Sequence, residues 1–470
     1  MAVHPAASGG TGVSTADPNV EGRGLSAFQV WLFAAVAFPL QAIAMAVSVY
    51  LPQHYARSLG MDLAAVGAAF ALVRLIDLPF DPLLGLAMDR TRTRWGRYRV
   101  WLLLGGPVTM AAIYMLFMAG KGIGVPYVMV WLLVMYLGTS MVTLAHSAWA
   151  AALAPSYNAR SHMFGVIGAM GVAGMTLVFV TPLMATAMGG TGMGVAEMGW
   201  FILAAIPLAI GAAVLRTPEQ VADAPPGQKV RVRDYLELVL HPSMGRIVLA
   251  MLLFSLGTAW EGALFLFYFT DGRGFSVSEA SLLLIAALGV GLFGAPALGR
   301  LSMKWSKHRT VLVAAAAYAL ALSSLLLVPR EAKLLACVPV ICTGFLYAGF
   351  HVLLRSMTAD VADQIRLEQR RERAALLFAL ITLAPKLAAA VAIGLTFNLM
   401  AGIGYDPAIG GGNAPGALAG LSWAYLLGPI GFVLLGGLSV IGYRLGPVQT
   451  AEIQERLAAL SDPGSRDPAD

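Results

Sequence analysis

The chain has 470 residues, of which 58% are hydrophobic and only 12% charged, with a net charge of +6. Soluble domains carry about 25% charged residues, so this composition excludes an ordinary soluble globular protein. The basic balance does not point to nucleic acid, because the lysines and arginines fall in short loops between apolar runs, where membrane topology accounts for them.

In chain order, residues 1–26 are polar and rich in Gly, Ser, Ala and Pro; they read as a disordered tail with no cleavable signal before the first span. Twelve apolar runs follow, each near the ~20 residues that cross a bilayer: 27–52, 61–88, 100–120, 125–154, 162–187, 197–216, 243–271, 277–299, 309–329, 332–357, 373–402 and 417–446. The expected fold class is an all-α polytopic membrane protein. Six spans occupy 27–216, a linker 217–242, six more spans 243–446 and a tail 447–470. This is the layout of a two-half transporter. The linker holds a Pro-Pro-Gly turn and the amphipathic run VRVRDYLELVL, read as a helix on the membrane interface. Cys337 and Cys342 sit in one apolar run without metal-ligand company, which excludes a disulfide framework.

The second span carries the most informative stretch, RLIDLPFDPLLGLAMDRTRTRWGRYRVW, from Arg74 to Trp101. Asp77 and Asp81 lie inside the apolar part, one helical turn apart, with Arg74 on the same face. Ionisable groups at that depth are expensive and line an aqueous cavity or an ion path. Pro79 and Pro82 predict a locally distorted helix. The span ends in a loop with Arg90, Arg92, Arg94, Arg97 and Arg99. With both termini inside, the cytoplasmic loops hold 19 Lys/Arg and the outside loops five (Arg57, Lys121, Arg273, Arg330, Lys333), and this asymmetry predicts the orientation. A shift of 210 residues places Arg90, Trp95, Arg97 and Arg99 on Arg300, Trp305, Lys307 and Arg309. The same shift places Asp77 and Asp81 on Ala287 and Gly291. The fold repeats and the acidic pair does not, so whatever the carboxylates bind is bound by the first half.

The run DPLLGLAMDRTRTRWGRYRVW resembles the signature of the glycoside–pentoside–hexuronide:cation symporters, the melibiose-carrier branch of the major facilitator superfamily, whose animal relatives include lysolipid symporters. The resemblance extends to Tyr157, Arg160 and Ser161, to Asp360 and Asp363, to RRER at 370–373, to Lys386 and to the turn Gly404-Tyr405-Asp406-Pro407. It implies that Asp77, Asp81 and Thr143 hold the coupling cation, Na+, Li+ or H+, with Lys386 close by. On the sugar side the chain departs from that family. Where the melibiose carrier has two aspartates, an arginine and a tryptophan, this chain has Gln41, His146, Gly168 and His351. Carboxylates accept several strong bonds from vicinal hydroxyls, and Gln and neutral His offer fewer and weaker ones.

Each group also has a structural reading. Arg74 and Asp77 form a neutralising pair in one reading, and Asp81 would then need a partner, for which Lys386 is available. His146 is a cavity residue or a packing hydrogen bonder. A cavity imidazole would make binding vary between about pH 6 and 8. Trp149 stacks on a substrate face or sits in the core. Glu261, an acid in the seventh span, contacts substrate, carries a second proton or bonds between helices. The overall expectation is a cation-coupled importer of a small organic solute, a sugar, glycoside or related compound, working as a monomer in a bacterial-type cytoplasmic membrane, in contact with lipid and without a cofactor. A lysolipid or other amphiphile transporter and an uncoupled facilitator are the alternatives. An enzyme is not expected, since neither a Ser/His/Asp constellation nor HExxH is found, and the lack of a Walker A motif points to an ion gradient as the energy source.

The topology is open to direct test. Reporter fusions after residue 225 and within 272–276 should report opposite sides of the membrane, with 225 cytoplasmic; an external 225 would overturn the orientation.

Overall fold

The computed structural model describes residues 26–153, 157–189, 194–219, 232–330, 332–369, 373–443 and 445–461. The expected disordered tail up to residue 25, residues 220–231 of the linker, Arg370, Arg371 and Glu372 of the RRER run, residues 462–470, and the side chains of Tyr157, Arg160 and Ser161 lie outside them.

The described residues form helices and no strands. Twelve helices are long and apolar enough to span a bilayer: α1 Ala27–Arg57, α2 Leu63–Met88, α3 Arg99–Phe117, α4 Val125–Leu153, α5 His162–Ala187, α6 Val195–Arg216, α7 Pro242–Gly272, α8 Val277–Trp305, α9 Lys307–Leu327, α10 Lys333–Gln369, α11 Leu376–Gly402 and α12 Pro415–Ser439. A short helix, Val232–Leu240, precedes α7, and α13, Pro447–Ser461, closes the described chain. Hydrocarbon offers the backbone no partners, which forces such segments into helices. Polar caps start several of them. Ser26 and Gln29 form a capping box on α1, Asp62 caps α2, and Ser276 and Glu279 box α8.

The main departure from the expected boundaries is α10. Its 37 residues span about 55 Å at the helical rise, well past the apolar stretch, and it continues as an amphipathic helix carrying Asp360, Asp363 and Arg366 to Gln369. At the other extreme α12 stops at Ser439, ahead of the left-handed Gly442.

The repeat extends to the backbone. Gly96 between α2 and α3 has φ +108, and Ser306, its counterpart between α8 and α9, has φ +99, the one positive φ of a non-glycine residue among the described residues. The two halves meet at the end away from the arginine run. There Tyr50 of α1 lies 2.8 Å from the Ser281 hydroxyl of α8, and Thr186 of α5 lies 2.7 Å from Ser278 of α8. Arg57 at the end of α1 pairs with Asp271 at the end of α7 at 3.0 Å and donates to Thr270 at 3.2 Å. The phenol of Tyr405, from the Gly-Tyr-Asp-Pro turn, donates to the same Asp271 carboxylate. Burial, with the Asp271 charge beside it, pushes that phenol well above its usual range, so it remains a donor.

Close approach of α2 and α11 completes this end. A Cβ on Gly67 would lie 2.5 Å from Cβ of Phe397, whereas one on Gly85, in the same helix, meets nothing within 4 Å. Helical Gly→Ala is otherwise favourable by roughly 0.5–1 kcal/mol. Gly67→Ala should therefore lower the melting temperature of the purified protein and Gly85→Ala should not; equal effects would show that α2 and α11 do not pack this way.

Candidate cation and substrate cavity

Pro79 and Pro82 break the second span where the acidic pair sits. Proline lacks the N–H that would continue the ladder, and α2 divides into helical segments Leu63–Asp77 and Phe80–Arg90. Asp77 ends the first segment and Asp81 lies in the first turn of the second, where the helix dipole favours negative charge. The expected shared helical face is therefore interrupted, and the two carboxylates find different partners.

Asp77 is buried, its side chain only 1% exposed, and accepts from Nη1 of Arg74 at 3.2 Å. That guanidinium also lies over the Tyr136 ring, 4.4 Å from its centroid. Asp81 takes the ammonium of Lys386, from α11 in the other half. In both carboxylates Oδ2 is the paired oxygen, while each Oδ1 is buried without a hydrogen-bond partner. A buried acceptor left unmade costs about 1–3 kcal/mol, so the two Oδ1 atoms are positions where a proton or cation would be stabilising.

A cavity of about 580 Å³ brings most of the sequence candidates together: Arg74, Asp81, Thr143, Lys386, Gln41 and His146 all line it. Asp77 is not among its lining residues and is paired with Arg74, which is. Thr143 is exposed and lines the same cavity as Asp81. Gln41 is likewise exposed there, and a Cβ on Gly171 would come within 2.9 Å of its Cγ; glycine on α5 leaves the room that Gln41 fills. Gly168, at the family's arginine position, faces open space.

His146 is on the cavity wall but already engaged. Its Nε2 is 2.9 Å from the Phe33 carbonyl and its ring stacks on Phe33 at 4.5 Å, an arrangement that serves helix packing. Trp149 is not at either cavity. It is 1% exposed, edge-on to Phe33 and beneath the Arg99 guanidinium, so of its two expected readings, substrate stacking or core, it takes the core.

An adjoining cavity of about 380 Å³ belongs mainly to the second half and shares Ala44, Ser48, Pro385, Ala389 and Ile393 with the first. Glu261 and His351 line it. Tyr318 donates to Oε2 of Glu261, and Tyr425 donates to Oε1 at 3.3 Å. The two tyrosines are functional candidates that the sequence did not single out, because an apolar span with one tyrosine carries no signal of what it faces. Ser255, also on this wall, keeps its hydroxyl buried and without a partner.

A family profile described as MFS/sugar transport protein matches residues 32–446. The chain belongs to the MFS/sugar transport family. Its twelve long apolar helices make it a multi-pass membrane protein of that family. The uncharacterized symporter YnaJ of Bacillus subtilis is 28% identical over 221 residues, 44% of this chain and 46% of that protein. The isoprimeverose transporter of Lactiplantibacillus pentosus is 28% identical over 165 residues, 34% of each chain. These alignments thus span less than half the length of the curated relatives. The solved nucleoside transporter NupG shares the fold, with a TM-score of 0.66 at 12% identity over 88% of this chain and 98% of that one.

The Asp81–Lys386 pair generates a stability prediction. Both side chains are about a quarter exposed, 21% and 28%, so removing one partner should cost about 1–3 kcal/mol, less than for a fully buried pair. Lys386→Met should lower the melting temperature, and adding Asp81→Asn should restore most of the loss. Additive losses in the double variant would mean that the two groups are not coupled.

Proposed function

We propose that the protein is a cation-coupled symporter that imports a small organic solute, a sugar, glycoside or related compound, by alternating access. The observation that carries the reading is the α2 acidic pair, with two free buried oxygens beside a cavity bridged to Lys386 of the opposite half. A cation or proton entering this site competes with the Lys386 ammonium for Asp81 and so acts on an interaction between the halves. Substrate in the same cavity acts on the same halves. Coupling requires that both ligands favour one state, typically by ~1–3 kcal/mol. A facilitator without coupling has no use for ionisable groups at this depth.

The relatives named as an isoprimeverose transporter and lactose permeases support a glycoside-like substrate. Gln41 and the Glu261 carboxylate, on the two sides of the joined cavities, are the groups proposed to meet its hydroxyls. Asp77, Asp81 and Thr143 offer Na+ or Li+ hard oxygens. The positive charges of Arg74 and Lys386 oppose a metal ion and favour H+. With the arginine-rich end in the cytoplasm of a bacterial-type inner membrane, as the loop charges argue, the Arg57–Asp271–Tyr405 cluster closes the outer end and the cavity belongs to an inward-facing state.

In vesicles with imposed Na+ or H+ gradients, Asp81→Asn should abolish accumulation of the transported solute while leaving exchange down its own gradient. Full accumulation by this variant would move the coupling site elsewhere, with Glu261 the next candidate.

A further inference from the structure

The repeat is broken in a second place, at the N-termini of α3 and α9. In the first half, Glu219 from the chain after α6 folds back on the start of α3. Its carboxylate accepts from the backbone N–H groups of Arg97, Tyr98 (2.6 Å) and Arg99 (3.2 Å), and its side chain is only 4% exposed. Gly96 makes this possible, since a Cβ there would lie 1.9 Å from Oε2 of Glu219. The same three positions in the second half, 210 residues on, are Lys307, His308 and Arg309. None of the described groups accepts from their N–H groups, and Ser306, which precedes them, makes no side-chain cap.

A cavity of about 290 Å³ lies at this place, lined among others by Ser306, Lys307, Asp360, Pro447, Thr450 and Gln454. Two helices therefore begin at its wall, α9 at Lys307 and α13 at Pro447. Ser306 is 7% exposed, and its hydroxyl is buried with no hydrogen-bond partner. One acid is present. Asp360 takes the Lys307 ammonium at 2.6 and 2.8 Å, and this pair cancels its own charge. The first turns of both helices hold no acidic residue, and their partial positive ends, the Lys307 N–H and the unused Ser306 hydroxyl are the donor set of an anion site.

We propose that this cavity binds a phosphate-type anion, in the role that Glu219 fills for the first half, and so fastens α13 to the α8–α9 corner. The anion is either a phospholipid headgroup or free phosphate. The rim residue Met303 is 77% exposed, which gives a headgroup an apolar neighbour for its chain. The site is separate from the transport cavity, and its test involves no transport.

The experiment is thermal unfolding of the purified full chain in detergent, titrated with inorganic phosphate or with short-chain phosphatidylglycerol, and with phosphatidylcholine for comparison. Two variants accompany it. Thr450→Glu introduces a carboxylate of the chain's own at the cavity wall, and Ser306→Gly keeps the left-handed backbone while removing the hydroxyl. The parent should show a saturable rise in melting temperature with an anionic probe. Thr450→Glu should lose that response, and Ser306→Gly should need a severalfold higher concentration for it. A response to both probes identifies phosphate itself as sufficient, and one confined to phosphatidylglycerol identifies the lipid. Loss or weakening in either variant supports the site. No saturable response to either probe, or one unchanged in both variants or matched by phosphatidylcholine, overturns it.

Discussion

Putting carboxylates into an apolar bundle is the constraint from which the rest of this structure follows. An ionised carboxylate away from water must be paired, because an isolated one would cost far more than any contact nearby returns. Asp77 and Asp81 are each paired through one oxygen, to Arg74 and Lys386. Asp77 is neutralised within its own helix. Asp81 is neutralised only when α11 of the second half is in place, so the electrostatics of one residue depend on how the halves sit. That dependence is what a coupling device needs: a site whose charge state and whose conformation are one variable.

The two halves divide the remaining work unequally. The first half contributes the acidic pair, Thr143 and Gln41. The second contributes Lys386 and a separate carboxylate, Glu261, held by two tyrosines. At the far end, Arg57, Asp271 and Tyr405 tie the halves together through one buried carboxylate. In the proposed alternating access, this polar cluster is the set of contacts that would be exchanged for another.

Much of this was legible in the sequence because the signals are local. A charge in an apolar run stands out against its neighbours, so Asp77, Asp81, Lys386 and Glu261 were visible, as were the twelve spans. The proline-induced break was visible as well, though its consequence, separate partners for the two aspartates, was not. Pairings across the chain leave no local trace. Arg57 read as one of five outside-loop charges, and nothing in its surroundings pointed to Asp271. Tyr318 and Tyr425 looked like ordinary span residues. Trp149 and His146 show the reverse limit: a ring on a polar-looking face reads equally well as wall or core, and only the position of Phe33 separates the two. The 210-residue repeat was legible as a charge pattern, while its backbone expression at Gly96 and Ser306 depends on φ, which serine does not advertise.

If Lys386 occupies Asp81 in the cation-free protein, it is a competitor of the coupling ion. The most direct measurement is therefore cation binding by the purified protein, with Na+ followed by calorimetry and H+ by proton uptake, in the parent and in Lys386→Met. The account predicts tighter binding of the coupling cation, whichever it is, once the ammonium is gone. Unchanged or weaker binding of both would contradict it.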